Sequence, residues 1–459
     1  MLQHIRLNRG LDIPLKGVAV ATVSKTVTPD IIALKPTDFK ALVPKLLVKE
    51  GEAVKAGTLL FCDKKRPEIG FASPCSGTVE AIVRGDRRKL LEVRIKADKT
   101  TDYIHFQIPD IKAISKEDVI RLLLESGLWP VIKQRPFGIV ASPKDEPKAI
   151  FISGFNSAPL AADLNFILKD EADYLQVAVD MLTKLTKGDV HIGLSNDDYA
   201  ASPLYKIKGA QLHIFDGPHP AGNVGIQIAN VSPIKKGEIV WTVDAVNLAA
   251  IGKLFKKGVV DMSRLVAVAG PRVEKPCYVK ALPGVAIKEF LPFIMEGEAE
   301  IYGQKVANRI ISGDVLSGTK VSQEGFLGYY DTLVSVISEG NYCETFGWAK
   351  LFRPKKFSLS RSYFSWLTPS KRYNADANLN GGVRAFVVTG LYEKVLPMDI
   401  YPVFLLKAIL AENIEEMERL GIFEVVEEDL ALCEYVCPSK IDVQEIVAKG
   451  IDIMIKDME

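Results

Sequence analysis

Cys433 and Cys437, in the stretch Leu432-Cys-Glu-Tyr-Val-Cys-Pro438, are the residues whose type and spacing come nearest to redox chemistry. A bacterial-type iron–sulfur site requires a close Cys-x-x-Cys-x-x-Cys run and a further Cys before Pro, because four thiolates must enclose the iron core. Only the Cys-x-x-x-Cys-Pro end stands here; Cys62, Cys75, Cys277 and Cys343 lie far upstream. Two thiolates one helical turn apart can share a metal, but a complete site asks for two more ligands, and the nearest His is distant in sequence. The pair therefore reads as a vestigial cluster motif, or as two buried structural thiols on a helix that Pro438 ends. No metal is expected on it.

The chain that must position these residues has 459 of them, enough for three or four domains at about 100–200 residues each. A hydrophobic fraction of 48% supplies several cores, and 58 basic against 57 acidic residues leave a net charge of +1. So even a balance sets up no bulk field toward nucleic acid or anionic lipid. Six cysteines without paired spacing suit a reducing compartment, not a disulfide framework. The first residues lack the apolar core of a secretory signal, and no run reaches the ~18 apolar residues that a bilayer span demands. Ile239–Ile251 is interrupted by Asp244 and Asn247, and Val403–Leu410 by Lys407. Work at a membrane would require something else to hold the chain there.

Residues 1–110 are expected to hold a small all-β unit, since Gly51, Gly57 and Gly77 punctuate short apolar runs in the manner of hairpins. This part resembles the barrel-sandwich hybrid of biotinyl and lipoyl domains, in which a hairpin Lys carries the swinging cofactor. Lys64 and Lys65 lie near that place. Arg66-Pro67-Glu68 makes the turn longer and stiffer than a carrier turn, and no Met flanks it, so a structural or docking hairpin is the better reading. Residues 111–269 alternate strand and helix patterns and predict an α/β domain with a largely parallel sheet. Its strands are Lys148–Gly154, Asp189–Leu194, Gln211–Phe215 and Leu265–Ala269; its helices start at Ser115, run over Glu171–Lys187, and run from Asp244 to Lys257. Strands punctuated by Gly and Pro over 270–331 fit a β-grasp domain. A connecting segment over 332–390 is basic and aromatic in its middle. Residues 391–459 are helical, with one helix from Pro402 through Leu420 and a last one begun by Asp442.

Five segments, taken in order, resemble the A subunit of the bacterial Na⁺-translocating NADH:quinone reductase. They are Asp63-Lys-Lys-Arg-Pro with Ala72-Ser-Pro; Ser126-Gly-Leu-Trp129 with Arg135-Pro-Phe137; Phe215-Asp-Gly-Pro-His-Pro-Ala-Gly222; Asn341–Trp348 with its Phe346-Gly-Trp; and Asp429-Leu-Ala-Leu-Cys-Glu-Tyr-Val-Cys-Pro438. The resemblance spans nearly the whole chain. That family is similar in turn to the C subunit of Rnf complexes and to the NADH-binding flavoprotein of respiratory complex I. The implied architecture is a barrel-sandwich hybrid, a Rossmann-like α/β domain, an SLBB-like β-grasp domain and a C-terminal helical domain.

The resemblance implies a peripheral subunit, on the cytoplasmic face of the bacterial inner membrane, of a pump coupling NADH oxidation and ubiquinone reduction to Na⁺ export. FMN, FAD, riboflavin and iron–sulfur centres are then expected on partner subunits, none on this chain, and the chief partner is membrane-embedded. The isolated chain is not expected to be catalytic. Its residues agree. The loop Trp129-Pro-Val-Ile-Lys-Gln-Arg-Pro-Phe137 has no glycine where flavoprotein relatives bring backbone N–H groups to a flavin phosphate. Pro218 and Pro220 remove donors from the turn around His219, and no Gly-x-Gly-x-x-Gly occurs. The family's association with ubiquinone makes Trp129, Arg135 and Phe137 candidate quinone contacts, giving ring walls and a donor for a quinone carbonyl. The competing reading sets Trp129 in a core and pairs Arg135 with an acid. The alternative class is an Rnf-type electron carrier with flavin or clusters bound here; a lipoyl- or biotin-like carrier is a third.

Overall fold

The computed structural model describes residues 2–301, 303–342, 344, 353, 355–359, 363 and 365–458; Cys343 and the Phe346-Gly-Trp motif lie outside the described residues. Short strands between Ile31 and Ala97 build two small sheets. One joins Ile31–Leu34, Leu90–Ala97, Gly77–Arg84 and Ala53–Val54; the other joins Pro44–Leu46, Leu59–Asp63 and Gly70–Ala72. Phe61 stacks on Phe71 at 4.9 Å between ring centroids, and Phe39 closes over Phe71 at 4.4 Å. Gly77 is obligatory because a Cβ there would overlap the Lys96 carbonyl oxygen of the neighbouring strand.

A seven-stranded sheet follows in the order Gln3–Arg6, Gln211–Asp216, Val190–Ser195, Ala149–Ser153, Val240–Asp244, Lys133–Arg135 and Ile139–Val140. The first five strands are parallel, and the last two form an antiparallel hairpin. Runs such as Ala149-Ile-Phe-Ile are continuously apolar because parallel strands are covered on both faces. Among the covering helices, Ala245–Lys257 begins at Asp244, whose side chain accepts from Asn247 N, and ends at Gly258 in the left-handed conformation. Gly252 lets that helix settle on the Tyr174 carbonyl of helix Ala172–Leu182, where any Cβ would overlap.

The third sheet has the order Val23–Thr26, Cys277–Ala281, Arg264–Ala269, Leu333–Ser338, Asn308–Ser312 and Thr319–Val321. It encloses its own core of Val266, Val279, Val334 and Val336. Helices Pro402–Leu410, Ile414–Arg419, Ala431–Val436 and Val443–Met458 dominate the C-terminal part.

Four expectations need correction. Strand Arg264–Ala269 belongs to the third sheet, not to the α/β unit, because it pairs antiparallel with Cys277–Ala281 and parallel with Leu333–Ser338. Leu333–Ser338 is accordingly a central strand and no connector. Two strands expected in the small β unit pair outside it: Gln3–Arg6 forms an edge of the α/β sheet and Val23–Thr26 an edge of the third. The helix expected through Leu420 is broken, since Glu412 takes φ +53° and Asn413 caps a new helix by accepting from Glu416 N at 3.2 Å.

Candidate functional site

The α/β sheet grows from strand Ala149–Ser153 in one direction through Val190–Ser195 and Gln211–Asp216, then resumes on the opposite side with Val240–Asp244. Ligands of open parallel sheets bind beyond the carboxyl ends of the strands at such a reversal, where adjacent connections diverge. A cavity of about 580 Å³ opens there, and Ser153, Asp244, His219, Lys133, Arg135 and Glu428 are among the residues on its wall.

Arg135 stands at the tip of the Lys133–Val140 hairpin and is 3% exposed. It donates from Nη1 to Asp429 Oδ2 at 2.6 Å and from Nη2 to Glu428 Oε1 at 2.8 Å. Burial works against its charge, but the two carboxylates overcome that and raise its pKa. Asp429 is fully enclosed; the same Oδ2 accepts from Val426 N at 3.0 Å, capping the short turn that carries the pair. Asp429 Oδ1 has no hydrogen-bond partner among the described residues and lies against Gly225, where a Cβ would overlap it. Gly225 is in the first turn of helix Val224–Val231, so a carboxylate from the C-terminal part lies at the electropositive end of an α/β helix. Asn223, the residue before that helix, donates from Nδ2 to the Glu428 carbonyl at 3.1 Å.

The other predicted residues are distributed around this lock. Trp129 is wholly buried, donates Nε1–H to the Ala141 carbonyl at 2.8 Å, and meets Trp241 edge-on at 5.5 Å. Phe137 is buried against Phe423 of the C-terminal part at 5.9 Å. Of the three candidate quinone contacts, only Arg135 reaches the cavity wall. His219 is buried, shares a hydrogen bond between Nδ1 and Ser157 Oγ at 3.0 Å, and is pushed toward the neutral form by burial. Lys64 is exposed, while Arg66 of the same hairpin donates to Asp63 at 3.0 Å and to the Val140 carbonyl at 2.9 Å, tying the β unit to the α/β unit.

Cys433 and Cys437 bracket one turn of helix Ala431–Val436, and Pro438 follows it. Both are buried; Cys433 Sγ faces the Tyr392 carbonyl at 4.0 Å, and Cys437 Sγ accepts from Ile441 N at 3.4 Å. Burial drives the Cys433 thiol far above its usual range, which opposes thiolate formation. Among the described residues no group of three or more His, Cys, Asp or Glu is arranged to hold a metal ion.

Glu428, Asp429 and Gly225 had no assigned role in the sequence. The sequence carried no local signal for them, since Val426, three residues before Asp429, has no side-chain acceptor and does not read as a helix cap. Together these residues make the crevice a poor nucleotide cradle. Its helix N-terminus already meets Asp429, and the carboxylates of Asp314 and Asp331 lie on the same wall, while Asp38 and Glu427 there are paired with Lys35 and Lys40. A phosphate brought there would be repelled.

A small-sheet β unit, an α/β unit and a third, β-grasp-type sheet in this order define a class of multidomain subunit, and family models match each part. Residues 5–98 match the NqrA N-terminal barrel-sandwich hybrid domain, 114–260 the NqrA second alpha/beta domain, and 265–323 the SLBB-type NQRA C-terminal domain. Proteins named as the A subunit of Na(+)-translocating NADH-quinone reductase are similar over nearly full length. That of Yersinia pestis bv. Antiqua (strain Angola) is 38% identical over 442 residues, 95% of this chain and 96% of its own. That of Serratia proteamaculans (strain 568) is 37% identical with the same coverage, and that of Rhodopirellula baltica 35% identical over 97% of both chains. The chain belongs to this family, the A subunits of Na(+)-translocating NADH-quinone reductase. A solved NAD⁺-reducing nickel–iron hydrogenase is similar over 78% of this chain and 67% of its own, at 11% identity and a TM-score of 0.38, too remote to carry an argument.

Proposed function

We propose that this chain is a peripheral subunit of the respiratory complex that couples NADH oxidation and ubiquinone reduction to Na⁺ export, and that it assembles the complex without a redox group of its own. The observation supporting the second half is the occupied helix end, where Asp429 stands at the position that a flavin or nicotinamide phosphate would use. The α/β unit is Rossmann-like in this reading, supported by its strand order, and the C-terminal residues 391–459 are a helical domain that plugs it. The divisions near 110, 269, 331 and 390 serve as working boundaries, modified by the strand exchanges described above. FMN, FAD, riboflavin and iron–sulfur centres belong to partner subunits, and the chain is held on the cytoplasmic face by a membrane-embedded partner; no helix among the described residues is long and apolar enough to cross a membrane.

Quinone access is a second component of the proposal. Arg135, on the wall of a cavity of about 580 Å³, is the member of the Trp129, Arg135 and Phe137 set placed to meet a quinone carbonyl, which would have to displace the half-exposed Glu428 from its guanidinium. The competing class is an Rnf-like subunit that binds flavin or clusters itself. Purification of a tagged chain from native membranes separates the two. The chain is expected to elute with its membrane partners, and after dissociation to show no flavin absorbance and no iron. A chain that leaves with the soluble fraction at low salt refutes the first half; isoalloxazine or iron retained by the isolated chain refutes the second.

A further inference from the structure

On the wall of the crevice, Lys133 and Thr242 stand opposite each other in the antiparallel pair of strands Lys133–Arg135 and Val240–Asp244. Directly opposed residues share one face of a sheet, with Cβ atoms about 5 Å apart. Thr242 is 7% exposed, and its hydroxyl has no hydrogen-bond partner among the described residues. That hydroxyl keeps contact with the open space of the cavity while the rest of the side chain is enclosed. Half-buried Lys133 has its Nζ 3.6 Å from the centroid of the Tyr330 ring, and the Tyr330 hydroxyl is held by the Pro130 carbonyl at 2.7 Å. The face of that ring fixes the ammonium in place without using its N–H donors. Among the described residues no carboxylate comes within 4.0 Å of it.

Arg135, two residues further on, differs: both of its terminal nitrogens are committed, to Asp429 and Glu428. An acceptor entering the cavity meets Lys133 and Thr242 without breaking an existing bond, whereas Arg135 yields only after a charge-assisted hydrogen bond is lost. The surrounding charge decides what kind of acceptor fits. Asp331 and Glu428 lie close enough to act on the Lys133 ammonium, and both are on the cavity wall. An anion drawn to Lys133 is opposed by these carboxylates, and a cation by the ammonium itself. A neutral oxygen meets neither opposition. A carbonyl oxygen has two lone pairs, enough for one N–H of Lys133 and the hydroxyl proton of Thr242. Tyr330, Phe155, Leu164 and Val246 give the same cavity an apolar wall for a flat ring.

We propose that Lys133 and Thr242 are the donor pair by which this cavity holds a neutral ring carbonyl, the head-group chemistry of a quinone. This inference rests on the reading of quinone access given above, and assigns the first hydrogen bonds to residues outside the Trp129, Arg135 and Phe137 set.

The test is calorimetric titration of the purified full chain with a short-chain ubiquinone and, separately, with an alkylbenzene of equal tail length, which has no carbonyl. The wild type is expected to bind the quinone about tenfold or more tightly than the alkylbenzene. Lys133→Met keeps an unbranched stem along the Tyr330 ring and removes the donors. It is expected to weaken quinone binding about tenfold and to leave alkylbenzene binding unchanged, because a hydrogen bond from a charged donor is lost. Thr242→Val, close in shape, is expected to weaken quinone binding about fivefold. Both variants are expected to keep a melting temperature close to that of the wild type, since neither side chain gives up a hydrogen bond within the folded chain. Quinone binding retained in full by both variants overturns the donor pair and leaves quinone access to Arg135. Equal binding of the two ligands by the wild type also overturns it, by showing that no carbonyl is recognised. A wild-type chain that binds no quinone removes the reading of quinone access itself, and the donor pair with it.

Discussion

Removal of the Asp429 carboxylate is the sharpest perturbation of the crevice. In Asp429→Ala the Arg135 guanidinium, 4% exposed, keeps only Glu428, whose side chain is 46% exposed and held by a single contact at 2.8 Å. The Val426 N–H loses its acceptor in the same step. Breaking a buried ion pair by deleting one partner costs about 4 kcal/mol, because the surviving charge stays desolvated. The relief of the unpaired Asp429 Oδ1 offsets part of this, about 1 kcal/mol. A net loss of about 3 kcal/mol lowers the melting temperature by roughly 10 °C in a cooperative unit of some two hundred residues. Arg135→Ala is expected to lose a similar amount by exposing the opposite charge to the same environment. The double variant is expected to lose little more than either single one, giving a coupling energy of about 2–3 kcal/mol. Urea titration followed by tryptophan fluorescence is the assay, since Trp129 and Trp241 touch in the adjoining core. Single variants that each lose less than 1 kcal/mol, with additive effects, would show that Asp429 is no desolvated partner of Arg135 and does not block the helix end.

Gly225→Ala is expected to destabilise by several kcal/mol or expel Asp429, since the added methyl overlaps that carboxylate; Gly382→Ala, with nothing within 4 Å, is expected to be neutral in the same thermal melt. His191 hydrogen-bonds to His213 at 2.9 Å, and burial, then His213, lower its pKa to about 4. Its folded value lies below the unfolded value, so the associated stability is complete above about pH 6.5 and is lost as pH falls toward 4, by about 2 kcal/mol after allowance for partial exposure of the ring. The urea midpoint of His191→Gln is accordingly expected to fall less steeply than wild type across that window. Cys433 and Cys437 are expected to resist iodoacetamide in the folded chain and to react after unfolding, as read by intact mass. Rapid labelling of both in the native state would contradict their placement.

Much of the local structure was legible because it depends on neighbours in sequence. Ser115 accepts from Asp118 N at 3.1 Å, and Asp244 caps its helix from three residues away, as the sequence patterns required. The same holds for the parallel strands, whose apolar runs record burial on both faces. The departures came where a distant segment decided the outcome. Strand Arg264–Ala269 has the pattern of an α/β strand, but its neighbours Cys277–Ala281 and Leu333–Ser338 placed it in another sheet. Four-residue strands such as Gln3–Arg6 carry too little apolar pattern to announce which edge they cover.

The sequence alone determined the order of units, the missing half of the cluster motif, and a glycine-free loop where backbone donors would be needed. What meets the helix end in the crevice is set by the folded chain. Arg135 and Asp429 are 294 positions apart, and a charge carries no periodicity that names its partner. Their pairing exists because folding removes both from water, which makes any other arrangement of the two charges far less stable.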